Sequence, residues 1–262
     1  MKHILITGST RGIGLGLATR FLEAGLSITI NGTTQSNVEI AIEKLRKLFP
    51  SGLIQGFAAN VSHKGELEIL WEKATRGFGK IDIWINNAGI DQPRNRTWEI
   101  DEESMGNVIA TNITGMINGT VVAYSHMLEQ AEGQIFNMEG FGSDGMMRPD
   151  LTVYGTTKRA VRYFTRSIAK EAINSPVMIG TLSPGMVLTD FLLNSLKEDP
   201  AKAKNNKRIF NILADHVDTV TQFLSKRILE NTKNNVHIAW LTKQKVVWRF
   251  LKSLIVKRDI LK

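Results

Sequence analysis

Residues 2–14 read Lys-His-Ile-Leu-Ile-Thr-Gly-Ser-Thr-Arg-Gly-Ile-Gly, and this stretch decides the fold. The apolar run over residues 2–7 predicts a buried β-strand, and apolar side chains recur at helical spacing after the last glycine. Glycine lets a backbone turn tightly and approach a diphosphate, whose charge is stabilised at the N-terminus of a helix. We therefore predict that Gly8, Gly12 and Gly14 form a dinucleotide-binding turn between the first strand and the first helix.

The rest of the chain alternates predicted strands with predicted helices, which is typical of a doubly wound α/β domain. Further strands are expected at about residues 26–31, 53–58, 81–86, 134–138, 177–182 and 236–241. Further helices are expected at about residues 65–77, 105–130, 151–174 and 218–229, and from a capping box at Ser36 and Glu39 to about residue 49. The sequence thus predicts one Rossmann-type domain over residues 1–241, with a parallel sheet of about seven strands flanked by helices.

A substrate loop is expected at about residues 186–216 of this domain. Its segment 198–208 is polar and rich in lysine, which predicts a mobile loop over the site.

Composition limits the classes of protein and of function. The chain has 262 residues, of which 42% are hydrophobic and 22% charged, as expected for one soluble globular domain. No window approaches about 18 consecutive apolar residues, and the first predicted strand begins at residue 2. We therefore expect neither a spanning helix nor a signal peptide, and a cytoplasmic location. The absence of cysteine excludes thiolate catalysis and disulfides, and the five histidines show no ligand spacing, so no metal site is predicted.

A second decisive stretch is Tyr154-Gly-Thr-Thr-Lys158, which begins a predicted helix. Residues four apart lie one helical turn above each other, so the Lys158 ammonium can lie beside the Tyr154 phenol. At about 4 Å and an effective dielectric constant of about 20, this attraction is worth about 4 kcal/mol, or about 3 pKa units, before burial opposes it. The pattern predicts a tyrosine that exchanges a proton near neutral pH.

Further motifs follow the glycine turn along the chain. They are Asn86-Asn-Ala-Gly89, Asn112, Tyr154-x-x-x-Lys158, and Pro184-Gly185 with Thr189. In order and distance, the whole set resembles the short-chain dehydrogenase/reductase family over residues 1 to about 230. Within that family, four runs resemble the chlorophyll b reductase branch most. They are IDIWINNAG at 81–89, IFNMEGFGSDG at 135–145, YGTTKRAV at 154–161 and LSPGMVLTDFL at 182–192.

The resemblance implies hydride transfer between a nicotinamide and a carbonyl group, with Tyr154 as the proton donor. Lys158 would lower the pKa of the Tyr154 phenol and hold the nicotinamide ribose, and Asn112 would hold a water molecule that relays protons to Lys158. The family's catalytic serine falls on Gly140 or Phe141 in this chain, and neither has a hydroxyl group.

Ser143 supplies a hydroxyl group in the same Gly-Phe-Gly-Ser-Asp-Gly loop, and the chlorophyll b reductase branch has a similar loop. We therefore predict a catalytic role for Ser143, with a turn residue as the alternative. Glu139 and Asp144 are candidate acids of the same pocket.

The cofactor contacts that the resemblance implies extend from the glycine turn to the end of the sixth strand. They comprise Gly8, Thr10, Arg11, Gly12, Ile13, Gly14, Thr33, Asn60, Val61, Asn87, Ala88, Gly89, Tyr154, Lys158, Pro184, Gly185, Val187 and Thr189. The chain departs from the family at Asn60, where an Asp is more common.

NADP(H) is favoured over NAD(H) by the end of the second strand. An NAD site usually places an acid there to bind the ribose 2′-hydroxyl, but residues 31–34 read Asn-Gly-Thr-Thr. No carboxylate repels a 2′-phosphate, Arg11 can meet it, and Thr33 and Thr34 can donate hydrogen bonds. Two points oppose this: relatives that use NADP(H) often have a second Arg near position 33, and Arg11 is alternatively a solvated loop charge.

Three functions remain open from the sequence. The first is an NADP(H)-dependent reductase of a bulky apolar carbonyl compound, such as the formyl group of chlorophyll b. The second is a general family member that reduces a sugar, steroid or 3-oxoacyl substrate, and the third is a non-catalytic NADP(H)-binding sensor. An apolar pocket would be lined by Phe141, Met146, Met147, Met186, Phe191, Leu192 and Leu193. The resemblance also implies a homodimer or homotetramer.

Residues 242–262 form a basic extension that leaves the family pattern. Seven Lys or Arg against one Asp give it a formal charge of +6, out of a net charge of +8 for the whole chain. Val247, Phe250, Leu251, Leu254 and Ile255 share one helical face, with Trp248 at its border and Arg249, Lys252 and Ser253 turned away. This helix either packs on its own domain or a partner subunit, or it lies on an anionic membrane surface through 243–262. No nucleic acid partner is expected, because the apolar face has no role against phosphates.

Overall fold

The computed structural model describes residues 1–190, 192–193 and 200–261, with the backbone alone over 200–205. The strands are β1 (His3–Ile6), β2 (Ser27–Gly32), β3 (Ile54–Ala58), β4 (Ile83–Asn86), β5 (Gly133–Met138), β6 (Val177–Ser183), β7 (Val187–Leu188), β8 (Asp215–His216) and β9 (His237–Ala239). The helices are α1 (Gly12–Glu23), α2 (Gln35–Leu48), α3 (Lys64–Phe78), α4 (Glu102–Ile109), α5 (Met116–Glu129), α6 (Thr152–Glu171), α7 (Pro200–Leu213), α8 (Val217–Leu229) and α9 (Lys243–Ser253).

Seven strands form one parallel sheet in the order β3-β2-β1-β4-β5-β6-β9, which confirms the predicted Rossmann-type architecture. Apolar side chains of α1, α2 and α8 pack on one face of the sheet, and those of α3, α5 and α6 pack on the other. The strand order reverses between β1 and β4, so a crevice opens at the carboxyl ends of these two strands. In doubly wound sheets this crevice is where ligands bind.

The predicted capping box at Ser36 and Glu39 is wrong. Helix α2 begins at Gln35, and its N-cap is Thr34, whose hydroxyl accepts a hydrogen bond from the Asn37 N–H at 3.4 Å. Thr34 is the residue whose backbone is still extended after β2, so its side chain can reach back to the first helical turn.

The segment predicted as a mobile loop at 198–208 is also corrected. Residues 200–208 belong to α7, whose last turns bury Phe210, Ile212 and Leu213. Residues 198 and 199 lie outside the described part of the chain. The lysines that indicated a loop are equally compatible with a solvated helix, because Lys has good helix propensity. Two short strands, β7 and β8, pair with each other and were not predicted.

The single helix expected at 105–130 is divided. A π-helical segment, Ala110–Gly115, separates α4 from α5 and contains Asn112. A Cβ atom on Gly115 would lie 2.4 Å from a Val61 methyl group, so the helix approaches the loop after β3 closely here. Such wide turns often occur at functional sites.

Across the residues described, no helix combines the length and the apolar character needed to cross a membrane.

Candidate active site

The glycine turn lies in the crevice, where its three glycines allow contacts that other residues would block. Gly8 and Gly12 have φ of 60° and 58°, in the left-handed region that favours glycine. A Cβ atom on Gly8 would lie 2.6 Å from the Ala88 Cα, and one on Gly14 would lie 2.7 Å from the Gly8 carbonyl oxygen. The turn therefore packs directly against the residues that follow β4.

The Asn-Asn-Ala-Gly motif after β4 braces this turn. The Asn87 amide donates hydrogen bonds to the carbonyl oxygens of Thr7 and Gly8, at 3.0 and 2.9 Å. The Thr7 hydroxyl accepts from the backbone N–H groups of Asn87 and Ala88, both at 3.1 Å. The side-chain amide of Asn87, a predicted cofactor contact, thus holds the glycine turn in shape.

The N-terminus of α1 fits an anionic diphosphate. Its N-cap, Arg11, makes no side-chain capping hydrogen bond, and the first turn contains no acidic residue. The backbone N–H groups at the start of a helix are orphan donors, and the helix dipole favours negative charge there. A Cβ atom on Gly12 would lie 3.6 Å from a Thr189 methyl group, so the predicted contact Thr189 faces the turn from the loop after β7. These residues fit a dinucleotide cofactor.

The end of β2 presents no carboxylate to this site. Asn31 is buried, and its amide donates to the carbonyl oxygens of Gly32, Phe57 and Ala59 at 3.1–3.2 Å. Its side chain therefore joins the ends of neighbouring strands and does not face a ribose. Thr33 and Arg11 are both exposed. A methyl group of Thr10 lies close to Gly32, 2.6 Å from the position of an added Cβ atom.

Asn60 and Val61 lie beyond β3, where the family resemblance placed contacts with the adenine. The Asn60 side-chain oxygen accepts from the backbone N–H and the hydroxyl of Ser62, at 3.1 and 2.9 Å. Val61 is buried against Gly115. The oxygen of the Asn60 side chain is thus held within its own turn. The amide nitrogen of this side chain is the group that would contact an adenine.

Tyr154 and Lys158 lie on successive turns of α6 and are both buried. The Lys158 ammonium nitrogen donates to the Met138 carbonyl oxygen at 3.3 Å and lies 5.7 Å from the centroid of the Tyr154 ring. The N-cap residue of α6, Leu151, makes no side-chain capping bond. Instead, the Gln92 side-chain oxygen accepts from the Tyr154 backbone N–H at 2.7 Å. Gln92 was not predicted, because a polar residue so distant in sequence shows no pattern that links it to α6.

The pKa values of this pair shift in directions that the sequence did not predict. Burial raises the pKa of the Tyr154 phenol, the charge of Asp91 adds to this, and Arg94 opposes it. Burial also lowers the pKa of Lys158 to about 8, which the charge of Glu139 partly opposes. A low dielectric constant disfavours both charged forms, so the pKa of Tyr154 is shifted upwards, opposite to the depression that was expected from Lys158. The phenol therefore keeps its proton at neutral pH.

Asn112 is fixed in the π-helical segment by the backbone of Ile90. Its side-chain oxygen accepts from the Ile90 N–H at 2.8 Å, and its amide donates to the Ile90 carbonyl at 2.9 Å and to the Thr157 hydroxyl at 3.1 Å. A Cβ atom on Gly89 would lie 3.3 Å from the Asn112 side-chain oxygen and 3.4 Å from the Lys158 nitrogen. Gly89 therefore lies close to both the Asn112 side-chain oxygen and the Lys158 ammonium nitrogen.

The loop after β5 brings Ser143 to a carboxylate. Ser143 is buried, and its hydroxyl donates to Glu139 Oε2 at 3.1 Å. The hydroxyl hydrogen is therefore engaged by Glu139 and would have to leave it to donate to a substrate. Gly140, one of the two positions aligned with the family serine, faces Tyr154 and Lys158, because a Cβ atom there would lie 2.5 Å from the Tyr154 hydroxyl oxygen.

The predicted apolar pocket is only partly formed by the residues described. Met146 and Met147 are 61% and 94% exposed, and Phe191 lies outside the described residues. Asp144 is exposed and accepts a hydrogen bond from the Met146 N–H. Of the predicted cofactor contacts after β6, Pro184 and Val187 are buried, and Gly185 has φ of 71° where its backbone approaches Leu241. Over the described ranges, no three His, Asp or Glu side chains lie together in a group that could hold a metal ion.

Known proteins share this sequence pattern. The chain matches the short chain dehydrogenase family over residues 2–200. It is 32% identical to the probable chlorophyll(ide) b reductase NYC1 of Arabidopsis thaliana, over 96% of this chain and 53% of that protein. It is 37% identical to the chlorophyll(ide) b reductase NOL of Oryza sativa, over 86% of this chain and 66% of that protein. It is also 36% identical to the 5-keto-D-gluconate 5-reductase of Escherichia coli, over 76% of this chain and 77% of that protein. The chain thus spans about half to two thirds of the length of the two chlorophyll(ide) b reductases.

Solved structures share the fold. Levodione reductase superposes with a TM-score of 0.82 at 23% identity, over 93% of this chain and 97% of that one. ElxO with NADP bound gives a TM-score of 0.77 at 25% identity, over 91% and 96%. NAD⁺-bound xylitol dehydrogenase gives 0.81 at 21% identity, over 91% and 97%. The chain therefore belongs to the short-chain dehydrogenase/reductase family, whose fold binds a nicotinamide cofactor.

Proposed function

We propose that this protein is an NADP(H)-dependent reductase of a bulky, apolar carbonyl compound. The observation that carries the proposal is the buried Tyr154 phenol, which keeps its proton and lies above Lys158 beside the crevice of the sheet. A buried acid of this kind suits the protonation of a carbonyl oxygen. The cofactor would supply the hydride to the carbonyl carbon. Turnover of a panel of aldehydes and ketones with NADPH, followed by cofactor absorbance, tests the proposal.

The residues of the chain would divide the work as follows. Tyr154 donates its proton to the carbonyl oxygen, and Lys158 holds the nicotinamide ribose and stabilises the phenolate left behind. Asn112, fixed by Ile90, orients a water molecule that returns protons to Lys158. Ser143 remains a candidate second donor to the carbonyl oxygen, provided that it leaves Glu139. This assembly of acid, cation and amide favours catalysis over a cofactor sensor, which needs no proton donor.

The substrate class rests on the relatives. Two of them are named as chlorophyll(ide) b reductases, whose substrates are large, flat and apolar, and this supports a formyl group on such a molecule. The relative from Escherichia coli, named for a keto-sugar acid, supports the alternative of a small polar substrate. Comparing the two classes in the turnover panel separates these alternatives.

The preference for NADP(H) rests on the end of β2 and leads to a test at Arg11. Arg11→Ala should weaken NADPH binding about tenfold and spare NADH, because only the 2′-phosphate needs the charge. Dissociation constants from cofactor fluorescence measure this effect. Arg46→Ala, which removes an exposed charge at the far end of α2, is the matched control and should change neither constant. An equal loss for both cofactors would show that Arg11 serves the diphosphate or the loop.

Members of this family are commonly oligomers that act on small molecules. Helices α5 and α6 share an outer groove that is lined mostly by apolar side chains, and Tyr163 on it is 77% exposed. The groove is lined by Ile113, Met116, Ile117, Ala160, Tyr163, Phe164, Ser167, Ile168 and Glu171. We propose that a second copy of the chain covers this groove in a homodimer, or in a homotetramer that contains it.

The C-terminal helix has its apolar face in solvent, which supports contact with an anionic membrane surface. Arg249 is buried on the opposite face, where it forms an ion pair with Asp215 at 2.7 Å. Arg258 binds the same carboxylate at 3.0 Å. The helix therefore packs on its own domain through arginine, while its apolar face stays exposed. The exposed apolar side chains are Val247, Trp248, Phe250, Leu251, Leu254, Ile255 and Val256.

Charge indicates what covers this face. Lys243, Lys252 and Lys257 are exposed on α9 or just beyond its end, and α9 contains no acidic residue. A second copy would bring the same positive charges together, whereas anionic lipid headgroups neutralise them at about 1 kcal/mol for each Lys near the surface. We propose that α9 lies on an anionic membrane surface. A cytoplasmic location otherwise stays a prediction.

Leu251 and Leu254 provide the test of this contact, because they are 60% and 79% exposed and leave the Arg249–Asp215 pair intact. Replacing both with Glu should reduce co-sedimentation with vesicles that contain anionic phosphatidylserine by at least about tenfold, since each leucine contributes about 1.5 kcal/mol or more on burial. Leu48→Glu, at a 63% exposed leucine on α2, is the matched control. Truncation at 241 is a poorer test, because it leaves the buried Asp215 without both arginines. Equal sedimentation of all three proteins, or none by the parent, would contradict the contact.

A further inference from the structure

Glu139 is a buried acid at the centre of the catalytic elements. It directly follows Met138, whose carbonyl oxygen accepts the hydrogen bond from Lys158. It directly precedes Gly140, which faces the Tyr154 hydroxyl. Its own backbone N–H donates to the Leu182 carbonyl at 2.8 Å, so the position of the residue is fixed by β6.

The carboxylate of Glu139 is poorly compensated. Its exposure is 2%, and of its two oxygens only Oε2 accepts a hydrogen bond, from Ser143. Among the residues described, no donor is within hydrogen-bonding geometry of Oε1. Arg162 Nε of α6 and His237 Nδ1 of β9 lie 3.8 and 3.6 Å from Oε1. Burying a charge so incompletely paired costs stability, so packing alone does not account for this residue.

We propose that Glu139 is a positioning residue of the catalytic centre, whose negative charge keeps Lys158 protonated and whose Oε2 holds the Ser143 hydroxyl. Burial disfavours the charged form of Lys158, and its neighbours Met138 and Gly89 contact it only through backbone atoms, which carry no formal charge. Glu139 supplies the opposing charge. Arg162 and His237 face the same carboxylate and weaken its effect on Lys158 without removing it.

The direction in which Glu139 shifts the pKa of Lys158 follows from the charges of the neutral and ammonium forms of the lysine. Burial favours neutral Lys158 and brings its pKa to about 8, whereas a nearby carboxylate favours the ammonium form. Without the charge of Glu139, the pKa of Lys158 falls further, and the ammonium is lost at lower pH. This inference rests on the proposed function for its consequence in turnover: the alkaline limb of the activity profile moves to lower pH. The expected fall in the pKa of Lys158 does not rest on the proposed function.

The test is therefore made on Lys158 directly. Chains labelled with ¹³C at the lysine ε-carbon are titrated by NMR, and the Lys158 signal is assigned by its absence in Lys158→Met. In Glu139→Gln, which keeps the size of the side chain, the midpoint should fall by about one pH unit relative to the parent. In Ser143→Ala, which keeps the carboxylate, it should stay within about 0.3 units. Melting temperatures are recorded for each variant.

The outcomes separate the alternatives. An unchanged midpoint in Glu139→Gln overturns the inference, as does an equal fall in Ser143→Ala, because packing and not charge would then set the state of Lys158. If Glu139→Gln does not fold, Glu139→Asp carries the test. It keeps the charge and should hold the midpoint within about 0.5 units, so a fall of a full unit overturns the inference. A protein that reduces no carbonyl but shows the expected midpoints would refute the proposed function and leave the role of Glu139 standing.

Discussion

Tyr154→Phe should lower the turnover of a carbonyl substrate by about 10²–10⁴-fold, because the substitution removes the phenol proposed to protonate the carbonyl oxygen. The change deletes one hydroxyl and leaves α6 unaltered, since Gln92 caps the helix through the Tyr154 backbone N–H and not through the side chain. NADPH binding and the melting temperature should therefore match those of the parent. Steady-state rates from cofactor absorbance, with NADPH affinity from fluorescence, measure both effects.

The same helix offers a matched control. Tyr163 is 77% exposed on α6, so Tyr163→Phe removes a hydroxyl of the same kind away from the catalytic centre. Its turnover should equal that of the parent. A Tyr154→Phe protein that works within threefold of the parent, with cofactor binding intact, would remove the assigned role.

Gly140→Ala should lower turnover by about 10²-fold through misplacement of the catalytic pair. The added Cβ atom would lie 2.5 Å from the Tyr154 hydroxyl oxygen, and 3.1 and 3.2 Å from the Cγ and Cε atoms of Lys158. These groups must then move by a substantial part of an ångström, and a misplacement of about 1 Å costs about 10²-fold in rate. Single-turnover rates with saturating NADPH measure the chemical step.

A control is available on α4. Gly106 has no atom within 4 Å of an added Cβ, so Gly106→Ala should leave the rate unchanged. Full activity in Gly140→Ala would mean that Tyr154 has room to move and that its hydroxyl is not held where the structure places it. The same contact gives a physical reason why the family serine is absent at this position, because a serine has the same Cβ atom as alanine.

The sequence by itself determined the parallel sheet, the glycine turn after β1 and the pairing of Tyr154 with Lys158 on α6. Alternating apolar strands and amphipathic helices can pack in few ways, and glycines that permit left-handed φ angles mark the turn after β1. The spacing of Tyr154 and Lys158 placed them on one face of α6 because an α-helix repeats after 3.6 residues. These are local properties, because each depends only on residues that are close in sequence.

Only the tertiary structure decided how the site is charged and held. Gln92 caps α6 from the loop after β4. Arg249 is buried in an ion pair with Asp215, so the apolar face of α9 is exposed to solvent. Burial reverses the expected direction of the Tyr154 pKa shift, and Glu139 is buried beside Ser143 with one carboxylate oxygen unpaired among the described residues. Such features depend on which distant segments meet and on how much water they exclude. Sequence periodicity shows which side of an element turns inward, but not what it meets there.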